Sequence, residues 1–396
     1  MKLDADLIDK EAHKEFRRFL KSTGQETWER KIAKIHSLPM FRPPSPNAYR
    51  TYLANRNPLT RDIAAFLEID REGKLLRKHA TEQIMKTCGY LKVVNACFSQ
   101  MGAAVFSRIK SILLDDETAR SFLFELDIAT HLFRCGLDVK FADLEGLGTF
   151  DLLISDGQHE LEVECKTKSG DAGRKITRGN FYLLCDVLAA DLQPLTESFA
   201  VLFKCDGRLS GSQQLFHETA REIKKCRANQ KNQGDVEGLH FEITMLPSGT
   251  EIKTSEDIAA ALPPNLSDDA HYFVSTSGNR TLMIGCESTN NDRVLKSIYD
   301  DLKHGSGQLS GTRPAILACQ LEDIEDEAWS ELRRQSGLAQ WTNRLIRSTN
   351  RTHINYVVYS SNKTPTRTAD GITNFSTTNL RFQNLKARHS FPPGFF

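Results

Sequence analysis

Residues 150–168 read FDLLISDGQHELEVECKTK. Asp151 opens an apolar run, Leu152-Leu153-Ile154, and a polar turn, Ser155-Asp156-Gly157-Gln158, follows it. An alternating run from Leu161 to Lys168 comes next. Two such runs about a short Asp-Gly turn predict a β-hairpin. Side chains on a strand alternate faces, so Leu161, Val163 and Cys165 share one face, and Glu162, Glu164 and Lys166 share the other. The partner strand carries Asp151 toward those acids. Carboxylates with a lysine beside them are the donor set of a metal site. The plain alternative is a solvated strand face, where Glu-x-Lys is common.

Upstream, Asp115-Asp116-Glu117 puts acids at the positive end of a helix that runs to Cys135 and stops at Gly136. Its apolar stripe holds Phe122, Leu126, Ala129 and Phe133, with Glu125 inside the stripe. A carboxylate turned to the core is costly unless it is paired or bound to a cation. The alternative is a Glu at the stripe's edge that reaches water. Between this helix and Asp151 lie a short strand at 137–141 and a turn, Gly146-Leu147-Gly148, too short for a dinucleotide loop.

An acid on a first helix (Glu125), an Asp at the head of a strand (Asp151) and Glu164-x-Lys166 on the next strand form an order that resembles the PD-(D/E)XK nuclease superfamily. The likeness spans roughly residues 117–205. It implies an α/β fold with a restriction-endonuclease-like mixed sheet flanked by helices. It also implies an Mg²⁺-dependent endonuclease, with Mn²⁺ able to substitute. Asp151 and Glu164 would be metal ligands, joined by the Cys165 backbone carbonyl, with Glu125 binding directly or through water. Lys166 would be the catalytic lysine. Glu162-x-Glu164 offers two acids on one face, and the E-x-K spacing favours Glu164. No Pro precedes Asp151; Thr149-Phe150 stand there instead. DNA is the first expected substrate, in restriction, phage defence or repair, and double-strand cutting implies a homodimer. Members that have lost their chemistry keep the sheet, so an inactive module binding nucleic acid or protein is the alternative.

The residue types suit that chemistry. Mg²⁺ is a hard cation that takes carboxylate oxygens and keeps several waters. A lysine two residues beyond the second acid points at the same place, where it orients a water or offsets charge developing on the phosphate.

Across 396 residues, Lys plus Arg is 52 and Asp plus Glu is 51, so any polyanion must be met by local patches. Two basic runs are candidates: Lys224, Lys225, Arg227 and Lys231, and then Arg333, Arg334, Arg344, Arg347 and Arg351. Tyr182 and Asp186, four apart on the helix after the site, are the accessory residues the resemblance implies, with core packing the alternative that is favoured for Tyr182. Nine scattered cysteines form no C-x-x-C and point to buried thiols in a reducing compartment. No run approaches the roughly 20 apolar residues that span a bilayer, and the N-terminus has no apolar signal core; a cytoplasmic protein without membrane contact is expected. No Walker-type loop is present, so ATP-driven translocation would need a partner protein.

The division expected is a helical N-terminal domain over 1–115 and an α/β domain over 116–396, with a β-rich insertion at about 235–290. Prolines at 39, 43, 44 and 46 mark a connector, and a long helical pattern over 73–112 is interrupted at Gly89 and Gly102. After the site, periodicity predicts helices at 178–191, 212–228, 292–303 and 327–348. Strands are predicted at 199–204, 239–245, 272–275, 282–286, 315–321 and 354–359, with a mostly irregular tail from Ser360.

Overall fold

The structure is a computed structural model. It describes residues 9–36, 47–56, 58–73, 82–100, 102–192, 197–247, 257, 270–277, 279–322, 329, 334, 336–361, 366–367, 373–374 and 379–391. The proline connector at 39–46, the linker at 262–269 and Arg333 lie outside these.

The described helices begin with α1 (Asp9–Thr23), α2 (Gln25–His36), α3 (Ala48–Arg56), α4 (Pro58–Arg71), α5 (Glu82–Gln100) and α6 (Ala103–Leu114). They continue with α7 (Asp116–Arg134), α8 (Ala142–Glu145), α9 (Arg178–Asp191), α10 (Gln213–Ala228), α11 (Val294–Gly305) and α12 (Ser336–Ile346). The strands begin with β1 (Asp138–Phe141), β2 (Leu152–Ser155), β3 (Glu160–Ser169), β4 (Phe199–Cys205), β5 (Gln233–Val236) and β6 (Leu239–Met245). They continue with β7 (His271–Ser277), β8 (Arg280–Ser288), β9 (Ala315–Glu322), β10 (Ile354–Ser361), β11 (Thr366–Arg367), β12 (Thr373–Asn374) and β13 (Asn379–Gln383). The protein is a mixed α/β protein with two mixed sheets. Among the described residues no helix is long and apolar enough to cross a membrane.

Contacts divide the chain into two units. The first joins residues 1–33, 57–172 and 294–396; the second joins 34–56 and 173–293. A domain boundary at 115 therefore does not match the packing. Helices α1 and α4–α7 share one apolar cluster with the sheet, in which Phe16, Phe66, Leu91 and Phe122 meet Leu161, Val163 and Ile316. The inserted unit is also longer than the 235–290 expected, because α9, β4 and α10 belong to it.

The first unit's sheet has the order β1-β2-β3-β9-β10-β13. β1, β2 and β3 form an antiparallel meander, β3, β9 and β10 run parallel, and β13 returns antiparallel to β10. Both faces are covered, as parallel strands require. Ile316 and Ala318 of β9 face the cluster that holds α7, while Leu317, Cys319 and Leu321 face Ile298 and Leu302 of α11 and Leu338 and Leu345 of α12. The partner of β3 is thus β9, preceded by α11. The strand that follows next in sequence, β4, lies in the second unit's sheet, β5-β6-β4-β8-β7. Residues 117–205 are therefore divided between the two units, with 117–172 in the first and 173–205 in the second. Sheet order is set by packing between distant segments, which periodicity does not reach.

Other differences are local. α5 runs through Gly89, and the break falls at Gly102. The segment 230–236 contains β5, and the tail from Ser360, expected to be mostly irregular, supplies β13. The eight cysteines other than Cys97 are free thiols, and seven of these are buried; Cys135 is exposed.

Candidate active site

The hairpin turn sets the register. Asp156 Oδ1 accepts the N–H groups of Gln158 at 2.8 Å and His159 at 2.7 Å, and Gly157 takes a φ of 90° that suits glycine. Leu152 then pairs with Val163, and Ile154 with Leu161. Asp151, one residue before Leu152, comes level with Glu164. Its Oδ2 accepts the backbone N–H of Cys165 at 2.6 Å. β2 has not yet begun there, so a carboxylate satisfies that donor in place of a strand. The group of Cys165 that meets Asp151 is its N–H, whereas the carbonyl was the group expected to serve. The Cys165 side chain lies in the α7-facing core, and burial, then the nearby acids, push its thiol well above the usual range.

The opposite face of β3 is not a solvated surface. Glu162 and Glu164 have no solvent exposure. α11 covers Glu164 closely: a Cβ on Gly305 would lie 2.8 Å from Lys166 Cε and 3.2 Å from Glu164 Cγ. The two acids are held differently. Glu162 accepts the N–H of Ser310 at 2.8 Å, the Ser310 hydroxyl, and Arg313 Nη1 at 3.0 Å, so both its oxygens are engaged. Glu164 Oε1 is bonded by Lys166 Nζ, while Oε2 is buried with no hydrogen-bond partner.

Lys166 Nζ also donates to Gln308 Oε1 at 2.7 Å. Gln308 is itself tied to the chain before Asp151, because its Nε2 donates to the Thr149 carbonyl at 3.2 Å and its own carbonyl accepts from Thr149 Oγ1 at 2.5 Å. Lys168 is engaged elsewhere, with Asp301 of α11.

Glu125, on α7, is half-buried. Its carboxyl is pushed well above the usual range by burial first, then by the charges of Asp151, Asp143 and Glu164, with Lys166 opposing. Burial chiefly raises Asp151 to about 6 and Glu164 to about 8; Asp151 adds to the rise of Glu164, and Lys166 works against both. Burial draws Lys166 down, but the charge and hydrogen bond of Glu164, with Asp151, leave it above its usual value. Glu125, Asp151, Glu164 and Lys166 therefore sense one another as a single electrostatic group.

Four residues near this group carry no signal in the hairpin motif. Asp143 of α8 faces it, with one oxygen held by Arg108 at 2.9 Å and Oδ1 buried without a partner. Gln308, Ser310 and Arg313 come from the Gly- and Ser-rich segment 305–313, whose position beside the site only the β3–β9 pairing reveals. Asp186 belongs elsewhere. Its oxygens accept the N–H groups of Ala48 at 2.8 Å and Tyr49 at 3.0 Å, capping the start of α3 in the second unit.

As the side chains stand, no three His, Cys, Asp or Glu groups among the described residues surround a common metal position. The donor set still fits a hard divalent cation. Mg²⁺ needs only one or two carboxylates when waters and phosphate complete its shell. Glu164 Oε2 is a buried carboxylate oxygen with nothing to bind, and a dication would relieve the mutual repulsion of acids already pushed toward their protonated forms.

Compared with known proteins, the chain matches no family model, no curated protein and no solved structure.

Proposed function

We propose that the chain is a divalent-cation-dependent nuclease of the PD-(D/E)XK kind that hydrolyses phosphodiester bonds, with DNA as the first candidate substrate. The observation that supports this most is the state of Glu164. It is a fully buried carboxylate beside Asp151 and Glu125, bonded to Lys166 through one oxygen and unpartnered at the other. A carboxylate kept only for stability would resemble Glu162, whose oxygens are both satisfied.

In this reading Asp151 and Glu164 hold Mg²⁺ or Mn²⁺, with the Cys165 carbonyl as a further donor and Glu125 binding directly or through water. The bound cation would supply Lewis-acid polarisation of the phosphate and a lowered pKa for water. Asp151 keeps its orientation through the Cys165 N–H. Lys166 offers a fixed positive charge where negative charge develops on the phosphate oxygens, and Gln308 limits where its amine can go. Glu162, with Ser310 and Arg313, braces the base of the strand without taking part. Restriction or phage defence in a cytoplasmic setting, acting as a homodimer or with a partner protein, are the roles that accompany the resemblance.

A catalytically silent nucleic-acid or protein-binding module is the second reading. The absence of a closed three-donor arrangement among the described residues favours it. One assay separates the two. Plasmid, linear duplex, single-stranded DNA and RNA are incubated with the protein and Mg²⁺ or Mn²⁺, beside Lys166→Ala and Asp151→Ala. Cleavage by the wild type that both variants lose supports the nuclease. No cleavage of any substrate favours the module, and cleavage that survives in both variants places the site elsewhere.

A further inference from the structure

α11 and α12 carry a group of cations and rings that the cleavage site does not use. Tyr299 of α11 and Trp341 of α12 meet with ring centroids 4.9 Å apart, tilted by 56°. The Arg344 guanidinium stands 5.6 Å from the Trp341 ring and 6.0 Å from the Tyr299 ring. Arg344 and Arg347 are exposed, and so is Lys303, one helical turn beyond Tyr299. Among the described residues, none of these three cations has a carboxylate partner. That sets them apart from cations such as Lys168, Arg120 and Arg313, which are paired with acids.

This group is joined to the candidate site through the end of α11. Gly305 lies against Lys166 and Glu164. Ser306, the next residue, accepts a hydrogen bond from Arg351 Nε at 2.7 Å. From Gly305 back to Tyr299 is about 9 Å of helix axis at 1.5 Å per residue. Lysine, arginines and two partly exposed rings thus run outward from the lysine of the site.

We propose that Tyr299, Trp341 and Arg344, with Lys303, Arg347 and Arg351, form a docking track for an unpaired stretch of nucleic acid next to the bond to be cut. The chemistry selects this partner. Unpaired cations suit a phosphate backbone. Aromatic faces with an arginine stacked on them accept unpaired bases regardless of sequence, because every base has a π-face. A fully paired duplex keeps its bases stacked and offers those rings nothing. The inference rests on the nuclease reading only for the adjacency to Lys166.

The test is binding without cleavage. Fluorescence anisotropy is measured with labelled oligo-dT, oligo-U and a blunt duplex of equal length, in Ca²⁺ in place of Mg²⁺. The wild type is compared with Arg344→Ala/Arg347→Ala, Lys303→Ala and Trp341→Leu. The expected result is tighter binding of the single strands than of the duplex. The double arginine variant should lose about tenfold or more in single-strand affinity and show a shallower salt dependence. Trp341→Leu should lose affinity with little change in salt slope. The oligo-dT and oligo-U arms show whether DNA or RNA is preferred. Lys303→Ala, a change at an exposed position, guards against reading misfolding as lost binding, and thermal melts check the rest. Wild-type failure to bind either single strand, or variants that all bind as the wild type does, overturns the proposal. Binding through these residues without cleavage by the wild type would leave the track standing and remove the nuclease reading; cleavage with unaltered binding in the variants would do the reverse.

Discussion

Asp151 Oδ2 holds the backbone N–H of Cys165 at 2.6 Å, so the acid proposed to bind the cation also closes the end of the hairpin. The two roles separate by substitution. Asp151→Asn keeps an oxygen for the N–H and loses the charge; it is expected to abolish cleavage while its melting temperature stays near that of the wild type. Asp151→Ala leaves a buried donor unmet and should cost about 1–3 kcal/mol as well. Parallel nuclease assays and thermal melts check this. An active Asp151→Asn enzyme would remove Asp151 from the metal site.

Glu162 and Glu164 lie two residues apart on one buried face and are expected to respond in opposite ways. Glu162→Ala strips Ser310 of its acceptor and leaves Arg313 with Glu160 alone, and breaking such a buried pair costs up to about 3 kcal/mol. Arg313 is partly exposed, which moderates the loss. Residual cleavage by the folded fraction should persist. Glu164→Gln removes a charge whose burial is uncompensated at Oε2, so the metal-free fold should lose little stability and all cleavage. Urea titration of both variants, with activity measured per folded molecule, distinguishes the roles. The reverse pattern would make Glu162 the functional acid.

The acid group predicts a pH dependence with a definite sign. Burial chiefly raises Asp151 to about 6 and Glu164 to about 8, against roughly 4 in an unfolded chain. Between those values the folded state holds more protons than the unfolded state, so stability falls as pH rises from about 4 to 8. Without divalent cations, the melting temperature of the wild type should drop across that range relative to Glu164→Gln. Mg²⁺ should restore more at pH 8 than at pH 5, because cation and protons compete for the same oxygens. Differential scanning calorimetry with and without EDTA measures both. Equal Mg²⁺ effects at the two pH values would count against binding by these carboxylates.

The sequence made the hairpin legible because its information is local. Alternation fixed which side chains share a face of β3, the Asp-Gly turn fixed the register, and the misplaced polarity of Glu125 marked the preceding helix. The burial of Glu164 was not legible, since it depends on α11, which returns after an insertion of more than a hundred residues. Gln308 was hidden for the same reason: nothing in GSGQLSGTR says which strand it will meet until β9 pairs with β3. Glu125, Asp151, Glu164 and Lys166 are brought near one another, while the residues after 172 pack in the other unit. Helix α9 and strand β4 have the right local pattern, and local pattern does not say which sheet a strand joins.

The contact between Gly305 and Lys166 gives the sharpest remaining prediction. A Cβ at position 305 would stand 2.8 Å from Lys166 Cε, too close for either to stay, and 3.2 Å from Glu164 Cγ. The lysine end is flexible, and the helix gains propensity from alanine, so Gly305→Ala is expected to change stability by no more than about 1 kcal/mol. Lys166, however, must leave the position set by Glu164 and Gln308. If that position matters for charge developing in the transition state, a displacement near 1 Å costs on the order of 10²-fold in rate. The expected signature is therefore a large fall in kcat with an unchanged melting temperature and unchanged affinity for nucleic acid in Ca²⁺. A Gly305→Ala protein that cleaves at the wild-type rate would show that the lysine amine works from more than one position, and that its hydrogen bonds to Glu164 and Gln308 serve the resting fold alone.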